Sequence, residues 1–425
     1  MVRLNATGLP AASDAITVQG AQGRWSGREI AALAGALAVG IAIRVVLLPT
    51  EGFRGDLDQF VLWVHGIAVG GLANAYDQNL SFPPVMAYVW GALAAVEPAF
   101  RTTTDGSDPA IRALMKVPAS AADIGLAVLA AYSLRQRPRW AVIGAAAILF
   151  HPAVIDVSAW WGQYESIYLI SALAAAILAI NGRNGWAAAA IAVSLMTKPQ
   201  TLPFLVPLAA WFWATGGWRS VVRATAIGLA VVVVLWLPFI PAGGPANYLR
   251  NVASYQGETF AILSLRAWNI WWLVQEAAGG FVADNVPFLG PLTLRHIGYA
   301  IAGILEIIVA LALVRNPRPR TLFLGLAAAV LVAFASLTSM HERYAYGALI
   351  FLMPLIPEPR LRWLGVAFGV VFTLNLLAAV PPIPEIGTRV SVGGLMGVGG
   401  SIAVLAITVS ALASMRSPRA RDATS

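Results

Sequence analysis

Long apolar runs recur along almost the whole chain and restrict its fold more than any other feature. Runs of about 17 to 25 residues can cross a hydrocarbon core of about 30 Å as helices that satisfy their own backbone hydrogen bonds. The composition agrees, with 59% hydrophobic and 11% charged residues and a mean hydropathy of +0.74, whereas soluble domains carry about 25% charged residues. The sequence therefore predicts an all-α integral membrane protein.

Apolar length and flanking residues predict about twelve transmembrane helices. The predicted spans are 29–49, 111–134, 140–158, 161–180, 185–199, 201–214, 220–240, 292–314, 321–338, 344–357, 362–380 and 394–414.

Arginines in the connecting segments predict the orientation, because cytoplasmic loops are enriched in Lys and Arg. With both termini in the cytoplasm, every basic cluster falls on the cytoplasmic side. These clusters contain Arg3, Arg24, Arg28, Arg135, Arg137, Arg139, Arg183, Arg219, Arg223, Arg315, Arg318, Arg320, Arg360, Arg362, Arg416, Arg419 and Arg421.

Two further apolar stretches, 82–97 and 260–280, are not counted as spans. Adding either one alone would reverse every later loop and export the basic clusters. We therefore expect 50–110 to form a first external loop with two juxtamembrane interfacial helices, near 56–71 and 82–97. Phe82-Pro83-Pro84 would start the second, since proline is well tolerated in a first helical turn.

The same topology divides the chain into five parts: a cytoplasmic N-terminus at 1–28, a catalytic membrane module at 29–240, an external loop at 241–291, C-terminal membrane helices at 292–414 and a cytoplasmic tail at 415–425. The Trp-rich part of the 241–291 loop is expected at the headgroup level. Residues 1–24 and 416–425 are expected to be disordered.

Charge and cysteine content exclude several classes of function. The net charge of +8 lies in short loops between apolar runs, where it sets orientation, so we expect no nucleic-acid partner. There is no Cys, and the four His are far apart in sequence, which gives no metal-ligand spacing. A divalent metal held by Asp56 and Asp58 stays possible but is not favoured, because carboxylates are few.

In this topology the unusual polar residues share the external face, and this sidedness is the main functional signal. They are Asp56, Asp58, Gln163, Glu165, Lys198, Arg266, Asn269, His341, Glu342 and Arg343.

Each of these residues also has an ordinary structural explanation. Asp56 and Asp58 could cap a solvated helix start, Trp161 could be an interface anchor, and Lys198 could snorkel. His341-Glu342-Arg343 could be a solvated helix boundary with an internal ion pair. These alternatives leave Gln163 and Glu165 unexplained.

Two carboxylates are predicted within the membrane itself. Interior hydrogen bonds between helices are expected to account for Asp123 and Glu306.

The order of these motifs resembles that of the GT-C glycosyltransferases, polytopic enzymes that use a polyprenyl-phosphate sugar. The similarity extends over roughly 30–380 and is nearest to the glucosyltransferases that extend the dolichol-linked oligosaccharide and to bacterial mannosyltransferase-like relatives. It is carried by Gly55-Asp56, Trp63, Phe82-Pro83-Pro84, Trp161-Gly162-Gln163-Tyr164-Glu165-Ser166, Lys198-Pro199-Gln200, Arg266 with Trp268-Asn269, and His341-Glu342-Arg343.

The resemblance implies a GT-C-like fold and a catalytic Asp56 in the first external loop, with Asp58 in support. It implies transfer of a hexose, mannose or glucose, from a polyprenyl-phosphate donor to a lipid-linked or glycan acceptor on the extracytoplasmic face of the cell membrane. No cofactor beyond that donor is expected. Trp161, Gln163 and Glu165 are predicted to contact sugar or acceptor, although Glu165 stands where relatives carry Asp or Asn.

The lipid phosphate is predicted to be bound by the cationic side chains of this face, whose charge suits a phosphodiester. They are Lys198, Arg266, His341 and Arg343.

Three alternatives remain at this stage. A polytopic transporter or lipid flippase would also carry charged residues in a membrane cavity, and a non-catalytic relative could keep the fold. A retaining mechanism would need two carboxylates about 5 Å apart, as Asp56 and Asp58 could be.

Overall fold

The computed structural model describes residues 23–416, which are mostly helical. The predicted disorder of 1–24 and 416–425 falls, apart from residues 23, 24 and 416, outside the described residues. The helices are α1 (Gly27–Leu47), α2 (Arg54–Gly70), α3 (Pro84–Val96), α4 (Pro109–Ser133), α5 (Pro138–Leu149), α6 (Pro152–Val154), α7 (Glu165–Ile180), α8 (Asn184–Leu195), α9 (Leu202–Trp236), α10 (Gly244–Glu258), α11 (Ile270–Ala278), α12 (Leu294–Arg315), α13 (Pro319–Ser336), α14 (Tyr346–Leu352), α15 (Pro359–Ala379), α16 (Pro384–Arg389) and α17 (Gly394–Ser414).

Seven helical segments of the described chain are long and apolar enough to cross a membrane: α1, α4, Pro199–Phe239, α12, α13, α15 and α17. An eighth span forms if α5 and the segment Pro152–Trp161, which meet at a bend of 49°, are taken together. The bend falls at His151-Pro152, since proline cannot donate the backbone hydrogen bond that would continue α5. Each of the twelve predicted spans coincides with helical residues, and α7 and α8 are shorter apolar helices.

The predicted spans 201–214 and 220–240 form one assigned helix that breaks at Gly217, where φ is 64°. Before the break, Trp211 donates to the carbonyl of Ala179 near the end of α7. After it, Gly228 lies against Ala192, and the helix follows α8 in parallel. A straight α9 of 35 residues would be about 52 Å long, much longer than a hydrocarbon core of about 30 Å. The contacts before and after Gly217 instead place the two halves of α9 side by side. The chain therefore reverses at one glycine, without a loop between the two predicted spans.

Side-chain contacts identify the two ends of the helical bundle. Arg320 forms an ion pair with Glu358 at 2.8 Å and donates to the carbonyl of Ser414 at 3.2 Å. The guanidinium of Arg362 stacks over the ring of Trp140 at 4.5 Å. The starts of α5, α13 and α15 and the end of α17 thus meet at one end, here called the basic end. This grouping agrees with the predicted order of crossings.

Residues 50–110 contain the two predicted short helices, at α2 and α3. Aromatic side chains of the two helices cluster with Phe82 and Tyr164, so that neighbouring rings among Phe60, Trp63, Phe82, Trp90 and Tyr164 have centroids 5.1 to 5.9 Å apart. With 13 residues, α3 is about 20 Å long, too short to cross a core of about 30 Å. The structure thus supports leaving 82–97 out of the spans.

Two short β-pairings involve residues 241–291, and one of them joins this segment to the bundle. In the parallel pair, Ser264 of β1 (Ser264–Leu265) faces Met340 of β4 (Met340–His341). The other pair is an antiparallel hairpin of β2 (Pro287–Leu289) and β3 (Leu292–Thr293). The β1–β4 pair ties this segment to the chain that carries His341.

The Trp residues of this segment, which were expected at the headgroup level, are buried in the protein and do not face lipid. Trp268, Trp271 and Trp272 are at most 7% exposed. Trp268 donates to the carbonyl of Val392, and Trp271 donates to that of Ser336. An indole needs an apolar contact and an acceptor, and the protein interior provides both as well as an interface does.

Candidate functional site

Asp56 lies in the first turn of α2 and is held through one carboxylate oxygen. Its Oδ2 accepts hydrogen bonds from Trp161 Nε1 at 2.8 Å and from Gln163 Nε2 at 2.5 Å. Within residues 23–416, the structure shows no hydrogen bond to its Oδ1. The carboxylate is therefore oriented, while one oxygen remains available to a ligand.

A π-helical turn, Ile155–Trp161, brings Trp161 to Asp56. It ends at Gly162, whose φ of 89° favours glycine. A Cβ at Gly162 would also lie 2.7 Å from the Leu57 side chain of α2. The close approach of these two backbones depends on Gly162, and π-helical turns are frequent at functional sites.

Glu165 begins α7 and joins two cations. It is completely buried, accepts a hydrogen bond from Lys198 Nζ at 2.5 Å and lies 3.5 Å from Arg343 Nε. The guanidinium of Arg343 also stacks over the ring of Trp161 at 5.1 Å. Trp161 thus contacts both the Asp56 carboxylate and the cationic group.

Lys198 is only 4% exposed, so its interpretation as a snorkelling lysine is wrong. Burial lowers the pKa of Lys198, while the charge of Glu165 opposes that effect. A buried ammonium is stable here because Glu165 compensates its charge.

The triplet His341-Glu342-Arg343 is not a solvated boundary either, since Glu342 is 2% exposed. Arg343 Nη1 lies 3.1 Å from Glu342 Oε1 and 3.4 Å from His341 Nδ1. Burial alone would raise the pKa of Glu342, but the His341 hydrogen bond and nearby positive charge hold it at about 2. The predicted ion pair within the triplet is present, because the Arg343 guanidinium pairs with the Glu342 carboxylate.

Burial and the charge of Arg343 lower the pKa of His341, so its imidazole is neutral at pH 7. Burial also opposes the charge of Arg343, but Asp56, Glu342 and Glu165 outweigh it and raise the pKa of Arg343. Arg343 is therefore the dependable cation of this group, and His341 is a neutral neighbour.

The side chains of two predicted site residues have their main contacts elsewhere, although the backbone of Arg266 is bridged to that of His341. Asp58 forms an ion pair with Arg54 at 2.9 Å and accepts from the backbone of Gly106 at 2.8 Å. Arg266 is exposed and donates to the carbonyl of Ala379 at 2.7 Å. The structure brings the other seven together: Asp56, Trp161, Gln163, Glu165, Lys198, His341 and Arg343.

Three buried polar atoms of this group have no hydrogen-bond partner in the described part of the chain: Gln163 Oε1, Glu165 Oε2 and Arg343 Nε. A buried polar group without a partner costs about 1 to 3 kcal/mol, and native proteins contain few of them. Their concentration next to Asp56 indicates a site for a polar ligand.

Of the two carboxylates predicted to form interior hydrogen bonds within the membrane, only Asp123 does so in the described part of the chain. Asp123 accepts hydrogen bonds from Ser158 and Ser166 and pairs with Arg44 at 2.8 Å, which confirms the predicted interior bonding. Neither carboxylate oxygen of Glu306 has a partner among residues 23–416, so for Glu306 the prediction is wrong.

Asp156, a buried carboxylate on the π-helical turn, was not among the predicted site residues. Its position inside the predicted span 140–158 was the available signal, because acidic residues within spans are rare and commonly functional.

Metal-ligating side chains do not converge in the described residues. Between residues 23 and 416 there is no group of three or more His, Cys, Asp or Glu side chains that could hold a metal ion.

Comparison with known proteins identifies the fold and little else. No family model matches the chain, and no curated protein matches it either. Among solved structures, the crystal structure of ArnT from Cupriavidus metallidurans bound to undecaprenyl phosphate matches with a TM-score of 0.50 and 16% sequence identity, over 90% of this chain and 77% of that one. At this identity the match concerns the fold. The chain is an all-α integral membrane protein that shares the fold of this structure.

Proposed function

We propose that this protein is a membrane glycosyltransferase that moves a sugar from a polyprenyl-phosphate donor to an acceptor hydroxyl. The observation that carries the proposal is the oriented Asp56 carboxylate beside unpartnered donor and acceptor atoms. The structural neighbour was crystallised with undecaprenyl phosphate, which supports this class of donor. The GT-C fold supports the same reaction type, although fold alone does not fix substrate.

The polar atoms of the site match a sugar phosphate in kind. Arg343 Nε has no hydrogen-bond partner within residues 23–416, although it lies 3.5 Å from Glu165 Oε1, and Lys198 has two N–H groups beyond the one it gives to Glu165. Phosphate oxygens accept from such donors. Gln163 Oε1 and Glu165 Oε2 are unpartnered acceptors, which suit sugar hydroxyls. A ligand with hydroxyl groups next to an anion would satisfy both sets.

The proposed chemistry is a single inverting displacement. The acceptor hydroxyl oxygen attacks the anomeric carbon from the face opposite the phosphate, and its proton passes to Asp56 Oδ1. As the new glycosidic bond forms, the bond to the phosphate oxygen breaks, and the polyprenyl phosphate leaves with the electron pair. Arg343 and Lys198 would stabilise the charge that develops on the phosphate. Since phosphate is a good leaving group, no general acid is needed.

A retaining mechanism with Asp56 and Asp58 as the carboxylate pair receives less support. Asp58 is engaged by Arg54 and by the Gly106 amide, whereas Asp56 faces Trp161 and Gln163. We propose a supporting role for Asp58, in which it holds the first turn of α2 in place.

A transporter or flippase is a weaker candidate on the same grounds. Transporters commonly bind their substrate near the bilayer midplane, at broken helices. Here the polar group lies at one end of the bundle, opposite the basic end. We propose that this end faces the extracytoplasmic side, that the sugar is mannose or glucose, and that the acceptor is lipid-linked or a glycan.

The decisive experiment is turnover by the purified protein. It is incubated with a set of polyprenyl-phosphate hexoses and a membrane lipid extract, and glycosylated products are detected by mass spectrometry. Wild-type protein should form product, and Asp56→Asn should lower kcat by about a thousandfold, because general-base catalysis contributes roughly 10² to 10⁴.

The matched control is Asp105→Asn, which changes an exposed carboxylate of the same loop and should keep its activity. Wild-type turnover that persists in Asp56→Asn would remove Asp56 from the mechanism. Absence of product with every donor, together with lipid movement across vesicles, would favour the transporter.

A further inference from the structure

A cavity lined by several arginines lies at the basic end, away from Asp56. It has a volume of about 730 Å³ and is formed by the α7–α8 connection and by the part of α9 that follows Gly217. The side chains that matter for its chemistry are Arg183, Arg219, Arg223, Asn184, Ser220 and Trp186.

Three arginines give this cavity an uncompensated positive charge. Arg183, Arg219 and Arg223 are exposed, and within residues 23–416 no carboxylate forms an ion pair with any of them. The sequence contains no Asp or Glu from 166 to 257. The cavity therefore attracts anions, and guanidinium groups bind phosphate oxygens in paired hydrogen bonds.

Asn184 adds an observation that is independent of charge. Its amide nitrogen donates to Ser220 Oγ at 3.1 Å, while its Oδ1 is buried without a partner among the described residues. An unpartnered acceptor beside three guanidinium groups suits a ligand that has a hydroxyl group close to a phosphate. The polar head of a glycerol-bearing phospholipid has this combination.

The surroundings favour a lipid over a free anion. Trp186, which lines the cavity, is 71% exposed, and the neighbouring Trp218 is 59% exposed. Along the same helix, Val222 and Leu229 are 56% and 60% exposed. Tryptophans in this position are typical of a membrane–water interface, and the apolar surface beyond them would contact acyl chains.

We propose that this cavity binds an anionic phospholipid with a hydroxyl-bearing headgroup, such as phosphatidylglycerol. The phosphate lies among Arg183, Arg219 and Arg223, the headgroup hydroxyl donates to Asn184 Oδ1, and an acyl chain follows α9. Basic cavities between membrane helices are known to bind anionic headgroups. This site is separate from the proposed transfer reaction and does not depend on it.

The competing explanation is that these arginines only set orientation, as basic loops commonly do. In that case any pair of exposed arginines at the basic end should attract anionic lipid equally. Arg137 and Arg139 are exposed at the same end but do not line the cavity. They therefore provide the matched comparison.

The test is native mass spectrometry of the purified full-length protein with phosphatidylglycerol and with phosphatidylcholine of the same acyl chains. Wild-type protein should retain phosphatidylglycerol preferentially. Replacing Arg219 and Arg223 with Gln should weaken that binding about tenfold or more, whereas the same change at Arg137 and Arg139 should alter it by less than about twofold. Equal losses in the two double variants would overturn the proposal.

Further measurements distinguish a lipid from a free anion and show whether a loss of binding comes from misfolding. The Lys variant of Arg219 and Arg223 keeps the charge and should keep most of the binding. Asn184→Ala should lose the preference for phosphatidylglycerol over phosphatidic acid, which lacks the headgroup hydroxyl. If inorganic phosphate displaces the lipid at equal concentration, the site belongs to a free anion and the lipid assignment fails.

Discussion

Both ends of the bundle carry several cationic side chains, which are largely buried at the candidate site and mostly exposed at the basic end. At the candidate site, Lys198 is 4% exposed, and Arg343 is enclosed by Trp161 and by buried carboxylates. At the basic end, Arg183, Arg219 and Arg223 are exposed and have no acidic partner within residues 23–416. The same residue types thus have two environments. Burial beside carboxylates distinguishes the cations of the candidate site from the arginines of the basic end.

The reason is the cost of desolvation. Removing a charge from water costs several kcal/mol unless a partner compensates it, so a chain buries cations only where their position is fixed by other groups. Exposed arginines avoid that cost and set membrane orientation through their number. Buried, oriented cations can instead stabilise a charge that forms during a reaction.

The largest expected contrast compares two arginines that each stack on a tryptophan, one at each end. Arg343 lies over Trp161 at 5.1 Å, and Arg362 lies over Trp140 at 4.5 Å. Arg343→Gln should lower kcat/KM for the donor by about a hundredfold or more, because it removes an oriented charge from the site. Arg362→Gln should change it by less than about threefold. Similar losses in the two variants would erase the functional difference between the ends.

The next contrast concerns pH. Burial lowers the pKa of Lys198, so its positive charge is present below that pKa and is lost as the pH rises through it. In the wild type, kcat/KM for the donor should therefore decrease at a lower pH than the pH at which an ordinary lysine loses its proton. Lys198→Arg, whose guanidinium stays protonated, should keep a larger fraction of its neutral-pH activity at alkaline pH than the wild type does.

Lys198→Gln provides the control for the pH measurement, since it should be weak at every pH and lack the alkaline decrease. An unchanged alkaline decrease in Lys198→Arg would assign the titration to another group. Normalised profiles are compared because Lys and Arg differ in geometry.

The smallest expected effect separates the two aspartates of α2. Asp58 pairs with Arg54 at a partly exposed position, so Asp58→Asn should change kcat/KM by less than about threefold and lower stability by at most about 1 kcal/mol. Steady-state kinetics and thermal unfolding in detergent would measure both. A loss of activity as large as that of Asp56→Asn would show that Asp58 takes part in the reaction.

Apolar periodicity and basic loops were sufficient for much of the fold. The helices at all twelve predicted spans, the short helices α2 and α3, and the gathering of Asp56, Gln163, Glu165 and Lys198 at one end follow from them. These features depend on run length and on crossing order, and both can be read along the chain.

The details of the site depended on contacts between distant segments. The resemblance favoured Asp56 over Asp58, but their contacts could not be predicted, because only packing places Trp161 beside the first and Arg54 beside the second. Arg266 was grouped with Arg343, yet it donates to the end of α15. A long flexible side chain can reach several partners, so its sequence position does not determine its contact.

By itself, the sequence determined that this protein lies in a membrane, which helices form, and which residues share an end, because hydrophobic length and charge act locally. Only the tertiary structure decided which carboxylate is oriented, which cations are buried, and where the chain reverses at Gly217. Those outcomes depend on hydrogen bonds and close backbone approaches between separate segments, which lie 33 residues apart for Lys198 and Glu165 and 107 apart for Asp56 and Gln163.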